Sequence, residues 1–130
     1  MIVNGDADRL QQVLLNLLTN AITYASGSKR IDVRLRRVGN VAELEVQDYG
    51  EGIEAEHLPN LFSRFFQVIE DTPSAGQGLG LGLFISHQIV AAHDGTISVE
   101  STVGEGTTFT VRLPLLEQVA ESLDFVQLHV

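Results

Sequence analysis

The chain has 130 residues, 17 acidic against 8 basic, a formal net charge of −9 and no cysteine. That length suits one domain with a core of its own, and the missing cysteines exclude disulfide frameworks, cysteine-type zinc clusters and thiol catalysis. The acidic surplus argues against a nucleic-acid partner, which requires basic side chains to displace counterions, and no apolar run reaches the ~18 residues of a membrane span.

Asp6 reads as a helix N-cap, with Asp8 in the first turn where the helix dipole favours negative charge. Leu10, Val13, Leu14, Leu17, Leu18 and Ala21 then recur at helical spacing, predicting a helix to about Ala25 that stops near Ser26-Gly27-Ser28. Ile31, Val33 and Leu35 alternate with charged residues as in a half-buried strand, Gly39-Asn40 makes a turn, and Ala42, Leu44 and Val46 form the partner strand. Five of the eight basic residues fall between Lys29 and Arg37, which fits the exposed face of this strand pair. A short helix over about Ala55 to Phe62 follows, then a polar loop from Glu70 to Gly78. Leu81, Phe84, Ile85, Ile89 and Ala92 predict a second amphipathic helix, ended by Asp94-Gly95. Thr96 to Ser101 and Thr107 to Leu113 read as two strands joined by Gly104-Glu105-Gly106. Mixed helices and antiparallel hairpins predict an α+β two-layer sandwich, one mostly antiparallel sheet covered by helices on one face. Residues 1–114 are expected to form the domain. Residues 115–130 are a tail or linker in which helical and strand-like spacing are both present.

Asn16 and Asn20 stand at i and i+4, so they share a helix face, and Tyr24 continues it. An amide oxygen is a hard ligand suited to magnesium. Two amides on a solvent-facing stripe are the plain alternative. Asp48 ends a strand ahead of Gly50 and Gly52. A carboxylate there can accept a hydrogen bond from the exocyclic amine of adenine, and glycines let backbone approach a flat base. An ordinary Asp-x-Gly turn fits the same residues. Gly78, Gly80 and Gly82 alternate with leucines and open a helix, where backbone amides can form an anion-binding concavity. No strand precedes them, against a dinucleotide-binding fold. Arg64 sits among phenylalanines and can either meet a phosphate or make a surface ion pair, and Thr107 can place a hydroxyl near a base. The histidines are scattered, without the spacing of a metal site.

Taken in order, these motifs resemble the catalytic ATP-binding domain of sensor histidine kinases, within the gyrase, heat-shock chaperone, histidine kinase and mismatch-repair superfamily. Asn16 to Tyr24 is similar to the N box, Asp48 to Ile53 to the first glycine box, and Leu61 to Phe66 to the F box. Gly78 to Leu83 matches the second glycine box and Gly104 to Phe109 the last.

The resemblance implies the Bergerat fold and ATP with Mg2+ as cofactors. It implies Asn20 as the magnesium ligand, Asp48 as the adenine contact supported by Thr107, and Gly52 and Ile53 flanking the base. Gly78, Gly80, Leu81 and Gly82 would line the phosphate side, with residues 68–78 as a lid. Asn16 occupies the position where hydrolysing relatives carry a glutamate base, and an amide takes no proton from water. That implies transfer of the γ-phosphoryl group, with Asn16 and Arg64 as the catalytic residues. Thr23 and Gln67 replace the family's usual basic residues, leaving less positive charge for the phosphates. No histidine here has the setting of the family's phosphoacceptor. The expected partners are therefore a histidine-bearing dimerisation domain, in a missing N-terminal region or another protein, and indirectly a response regulator. A cytoplasmic location without direct membrane contact is expected. The alternatives are an ATP-sensing pseudokinase module and a serine kinase of the anti-sigma-factor type.

Overall fold

The computed structural model describes residues 2–24, 30–63, 81–116 and 127–129. In chain order these form β1 (Ile2–Asn4), α1 (Ala7–Tyr24), β2 (Ile31–Val38), β3 (Val41–Asp48), a 3-10 helix (Ala55–Asn60), α2 (Gly82–Ala92), β4 (Thr96–Thr102), β5 (Gly106–Pro114) and β6 (Gln127–His129). The main sheet is antiparallel with strand order β2-β3-β5-β4. A second, parallel pair joins β1 to β6. Leu115 bridges Val3, and the Leu116 N–H donates to the Ile2 carbonyl at 2.8 Å, so the end of β5 runs along β1.

Asp6 caps α1 as expected, accepting the Arg9 N–H at 3.1 Å. Val13, Leu17 and Ala21 form the buried stripe of α1 and meet Ile89 and Val90 of α2 over Val46, Ile97, Phe109 and Val111 of the sheet. Burial of each large side chain in that layer is worth about 1.5–3 kcal/mol. Within α2 the buried positions are Ser86, Ile89 and Val90, while Ala92 is exposed. The helix is apolar almost all round, so spacing alone did not single out its inner face.

Two expectations need correction. Val33 and Leu35 are 50% and 44% exposed, so β2 is less than half-buried. It is an edge strand, and the helices lie elsewhere, α1 on β3 and α2 on β4. The segment after Glu54 is a 3-10 helix ending at Asn60, not a helix to Phe62. Pro59 lies inside it, lacks an N–H and crowds the carbonyl four residues back, which disfavours α-helical continuation.

The opposite sheet face is charged. Glu43 is gripped by Arg36 at 2.8 Å and Arg112 at 2.9 Å, and Arg34 reaches Glu45 at 3.2 Å. The Arg36 hydrogen bond, seconded by Arg112, holds the Glu43 carboxyl below the usual carboxylate range against the opposing cost of desolvation.

α1 and α2 are tied at one end by His93. Its Nε2 accepts the Asp6 N–H at 3.0 Å, and its Nδ1 lies 2.7 Å from the Ile89 carbonyl. A carbonyl only accepts, so Nδ1 carries the proton and the ring is the neutral Nδ1–H tautomer. Among the described residues no helix is long and apolar enough to cross a membrane.

Candidate functional site

The inner face of the sheet is apolar until its last row. Val46, Phe109 and Val99 lie in register across β3, β5 and β4. Two residues on, the next row is Asp48, Thr107 and Ser101. Because side chains alternate along a strand, this polar row shares the face of the core and closes its end. Asp48 and Thr107 are both buried.

Asp48 is held asymmetrically. Its Oδ1 accepts the Gly50 N–H at 3.0 Å and the Thr107 N–H at 3.3 Å. Among the described residues no hydrogen bond ends on Oδ2. One oxygen fixes the carboxylate, and the other, bonded by no described residue, suits an N–H donor.

The first and last glycine turns interlock. The Gly104 N–H donates to the Glu51 carbonyl at 2.8 Å, and the Ile53 N–H donates to Ser101 Oγ at 2.7 Å. Gly52 has φ 78° and packs where a Cβ would strike the Thr102 carbonyl. Gly106 has φ 121° and packs where a Cβ would strike the Asp48 carbonyl. Both glycines thus serve the close approach of one turn to the other, a use apart from the backbone approach to a base expected from the sequence.

Tyr49 braces the outer side of the first turn. Its hydroxyl donates to Asp32 Oδ2, and the Arg30 guanidinium lies 5.7 Å from the ring centroid. The Arg30 hydrogen bond, then that of Tyr49, pulls the Asp32 carboxyl below its usual range, while Asp32 pushes the Tyr49 phenol upward.

A second group sits where α1 meets α2. Asn16 Nδ2 lies 3.2 Å from the Gly82 carbonyl and 3.1 Å from Ser86 Oγ. The carbonyl cannot donate, which fixes the orientation of the amide and commits both its hydrogens to α2. Only Asn16 Oδ1 remains for a ligand. Asn20, one turn on and partly exposed, has no hydrogen-bond partner among the described residues. Tyr24 is the last residue of α1, Leu81 caps α2 and Gly82 opens it. Arg64, Gly78, Gly80 and the expected lid lie outside the described residues.

The sequence-predicted site residues therefore fall into two groups: Asp48, Gly50, Gly52, Ile53 and Thr107 at the sheet end, and Asn16, Asn20, Leu81 and Gly82 at the helix pair. The two are linked because α1 packs on β3. Sequence reasoning missed Ser101 and Ser86. Alternation through Ile97 and Val99 already pointed Ser101 inward, and Ser86 was a lone hydroxyl on an apolar helix. Two histidines carry structural contacts: His93 joins the helices, and His87 lies with its ring centroid 5.7 Å from that of Phe62, which meets Phe109 edge-on at 6.2 Å. His57 groups with Glu54 and Glu56 on an exposed surface, the three ligand atoms within 4.8 Å of one another.

The donor chemistry fits a magnesium nucleotide, with an amide oxygen on Asn20 and a carboxylate oxygen on Asp48 that have no hydrogen-bond partner among the described residues. Residues 5–117 match the family described as "Histidine kinase-, DNA gyrase B-, and HSP90-like ATPase". Sensor histidine kinase RcsC of Escherichia coli K12 is 44% identical over 113 residues, 87% of this chain and 12% of RcsC. Sensor protein SrrB of Staphylococcus aureus is 41% identical over 109 residues, 84% of this chain and 19% of SrrB. The chain thus spans less than a fifth of these relatives. Among solved structures, the mycobacterial sensor histidine kinase MprB superposes with TM-score 0.71 and 32% identity, covering 87% of this chain and 78% of that one. Full-length ShkA, solved with AMPPNP, superposes with TM-score 0.75 over 92% of this chain and 27% of its own, at 24% identity, a likeness of fold alone.

Proposed function

The chain belongs to the histidine kinase-, DNA gyrase B- and HSP90-like ATPase family, and from that premise we propose that it binds ATP with magnesium and passes the γ-phosphoryl group to a histidine on a separate dimerisation domain. A response-regulator aspartate is the onward acceptor. The observation that carries this reading is the asymmetric carboxylate of Asp48. Oδ1 is occupied by the Gly50 and Thr107 N–H groups, and Oδ2, bonded by no described residue, would take the exocyclic amine of adenine.

Asn20 is the magnesium ligand in this scheme, through its amide oxygen, a hard donor suited to that ion. The bound cation would supply neutralisation of phosphate charge. Asn16 positions: its two N–H bonds lock α1 to the start of α2, where Leu81 and Gly82 approach the phosphates. No residue on that face of α1 is a base, so water is not activated there. Catalysis is then positioning plus charge stabilisation, the latter aided by Arg64, with the acceptor histidine brought in by the other domain.

Calorimetric titration with ATP, with and without magnesium, tests binding, and acid-labile labelling of an added dimerisation domain tests transfer. Failure of a folded sample to take up magnesium-ATP overturns the reading. A second reading, an ATP-sensing module without transfer, is favoured by the neutral Thr23 where a basic residue is usual. Tight binding with no labelling of any acceptor would select it. An acid-stable product would instead select a serine acceptor.

A further inference from the structure

The hydroxyl of Ser101 makes three polar contacts, and only one arrangement of protons makes hydrogen bonds of all three at once. Ser101 Oγ lies 2.7 Å from the Ile53 N–H, 3.0 Å from the Gly106 carbonyl oxygen and 2.7 Å from Thr107 Oγ1. The Ile53 amide can only donate, so Ser101 accepts there. The Gly106 carbonyl can only accept, so Ser101 donates its single hydrogen there. A serine hydroxyl has one hydrogen and two lone pairs. With the hydrogen and one lone pair used, the remaining lone pair must receive the Thr107 hydroxyl. Thr107 therefore spends its proton inside the protein and has only lone pairs left for anything else.

We propose that Ser101 is a specificity-determining, positioning residue: it turns Thr107 into a pure acceptor, so that the wall beside Asp48 offers a purine no hydroxyl donor. The inference rests on the reading above, that Asp48 and Thr107 meet adenine. Two acceptors side by side suit the 6-amino group of adenine, or a water that donates to the ring. They oppose the 6-keto oxygen of guanine, which needs a donor. Ser101 itself touches no ligand, because all three of its hydrogen-bonding positions are filled by the protein. Without it, the Thr107 proton is free to rotate toward the ligand and greet the keto group.

The test is the ratio of dissociation constants for magnesium-GTP and magnesium-ATP, measured by calorimetry on the 130-residue chain. Ser101→Ala is expected to narrow the wild-type ratio by about tenfold, the scale of one hydrogen bond, and Ser101→Thr, which keeps the hydroxyl, to restore it. If the alanine variant does not fold, Ser101→Cys makes the same test, since a thiol is a weak donor and acceptor. Equal weakening of both nucleotides, or an unchanged ratio, means that Ser101 only supports the turn, and overturns the proposal. Wild type that binds no ATP is a different failure, of the nucleotide reading itself.

Discussion

Asp48 presents two unequal oxygens, and an amide in its place would inherit the inequality. In Asp48→Asn, the Gly50 and Thr107 N–H groups would draw the amide oxygen inward and turn its NH2 outward. A donor would then meet the adenine amine. The variant is expected to lose ATP affinity by about 10- to 100-fold, as for a bond to a charged group, while gaining in relative preference for GTP. Competition binding checks both. Asn20→Ala should leave metal-free nucleotide binding unchanged and remove the magnesium-dependent increment, read by calorimetry in EDTA and in magnesium. Glu43 makes a prediction far from the site. Its carboxyl titrates lower in the folded chain than in the unfolded chain because Arg36 and Arg112 favour the charged form. The stabilisation is therefore present above the unfolded pKa and is lost as pH falls through the folded one. The difference in Tm between wild type and Glu43→Gln should be full near neutrality and close on acidification below the usual carboxylate range.

Elements were legible where a local pattern decides them and obscure where a neighbour does. Asp6, the spacing from Val13 to Ala21 and the Gly39-Asn40 turn declared α1 and the β2–β3 hairpin, because caps, periods and turns act within a few residues. The exposure of Val33 and Leu35 depends on where the helices lie, which their alternation does not encode. Pro59 could have warned that the segment after Glu54 would tighten to a 3-10 helix. The glycine turns were read as openings toward a ligand, and half of their logic lies in each other. Gly106→Ala would drive a Cβ into the Asp48 carbonyl at an unfavourable φ of 121°. It is expected to cost about 3 kcal/mol or more in urea unfolding and to displace the adenine contact. Gly104→Ala, where no atom stands within 4 Å, should cost about 1 kcal/mol from its positive φ alone.

At the scale of the molecule, order of motifs made the family readable, since five short boxes in sequence constrain more than any one of them. The hydroxyls of Ser101 and Ser86 were not readable in that way, because such residues are common in strands and helices and only tertiary contacts, with Thr107 for the one and Asn16 for the other, give them partners. Net charge adds a separate expectation. A chain at −9 repels anionic magnesium-ATP at long range, so association should quicken as salt rises from about 10 to 150 mM and the screening length shortens. Stopped-flow mixing with a fluorescent ATP analogue would show this as a rate that climbs with ionic strength, the reverse of a basic nucleotide binder.

Residues 48–53 and 101–107 lie far apart along the chain and clasp one another through Gly104 to Glu51 and Ile53 to Ser101. Loosening this clasp would unmake the proposed adenine corner while the helix layer stayed intact. Hydrogen–deuterium exchange at the Ile53 and Gly104 amides would then keep pace with the loss of nucleotide affinity across a series of variants, two gauges of a single local opening.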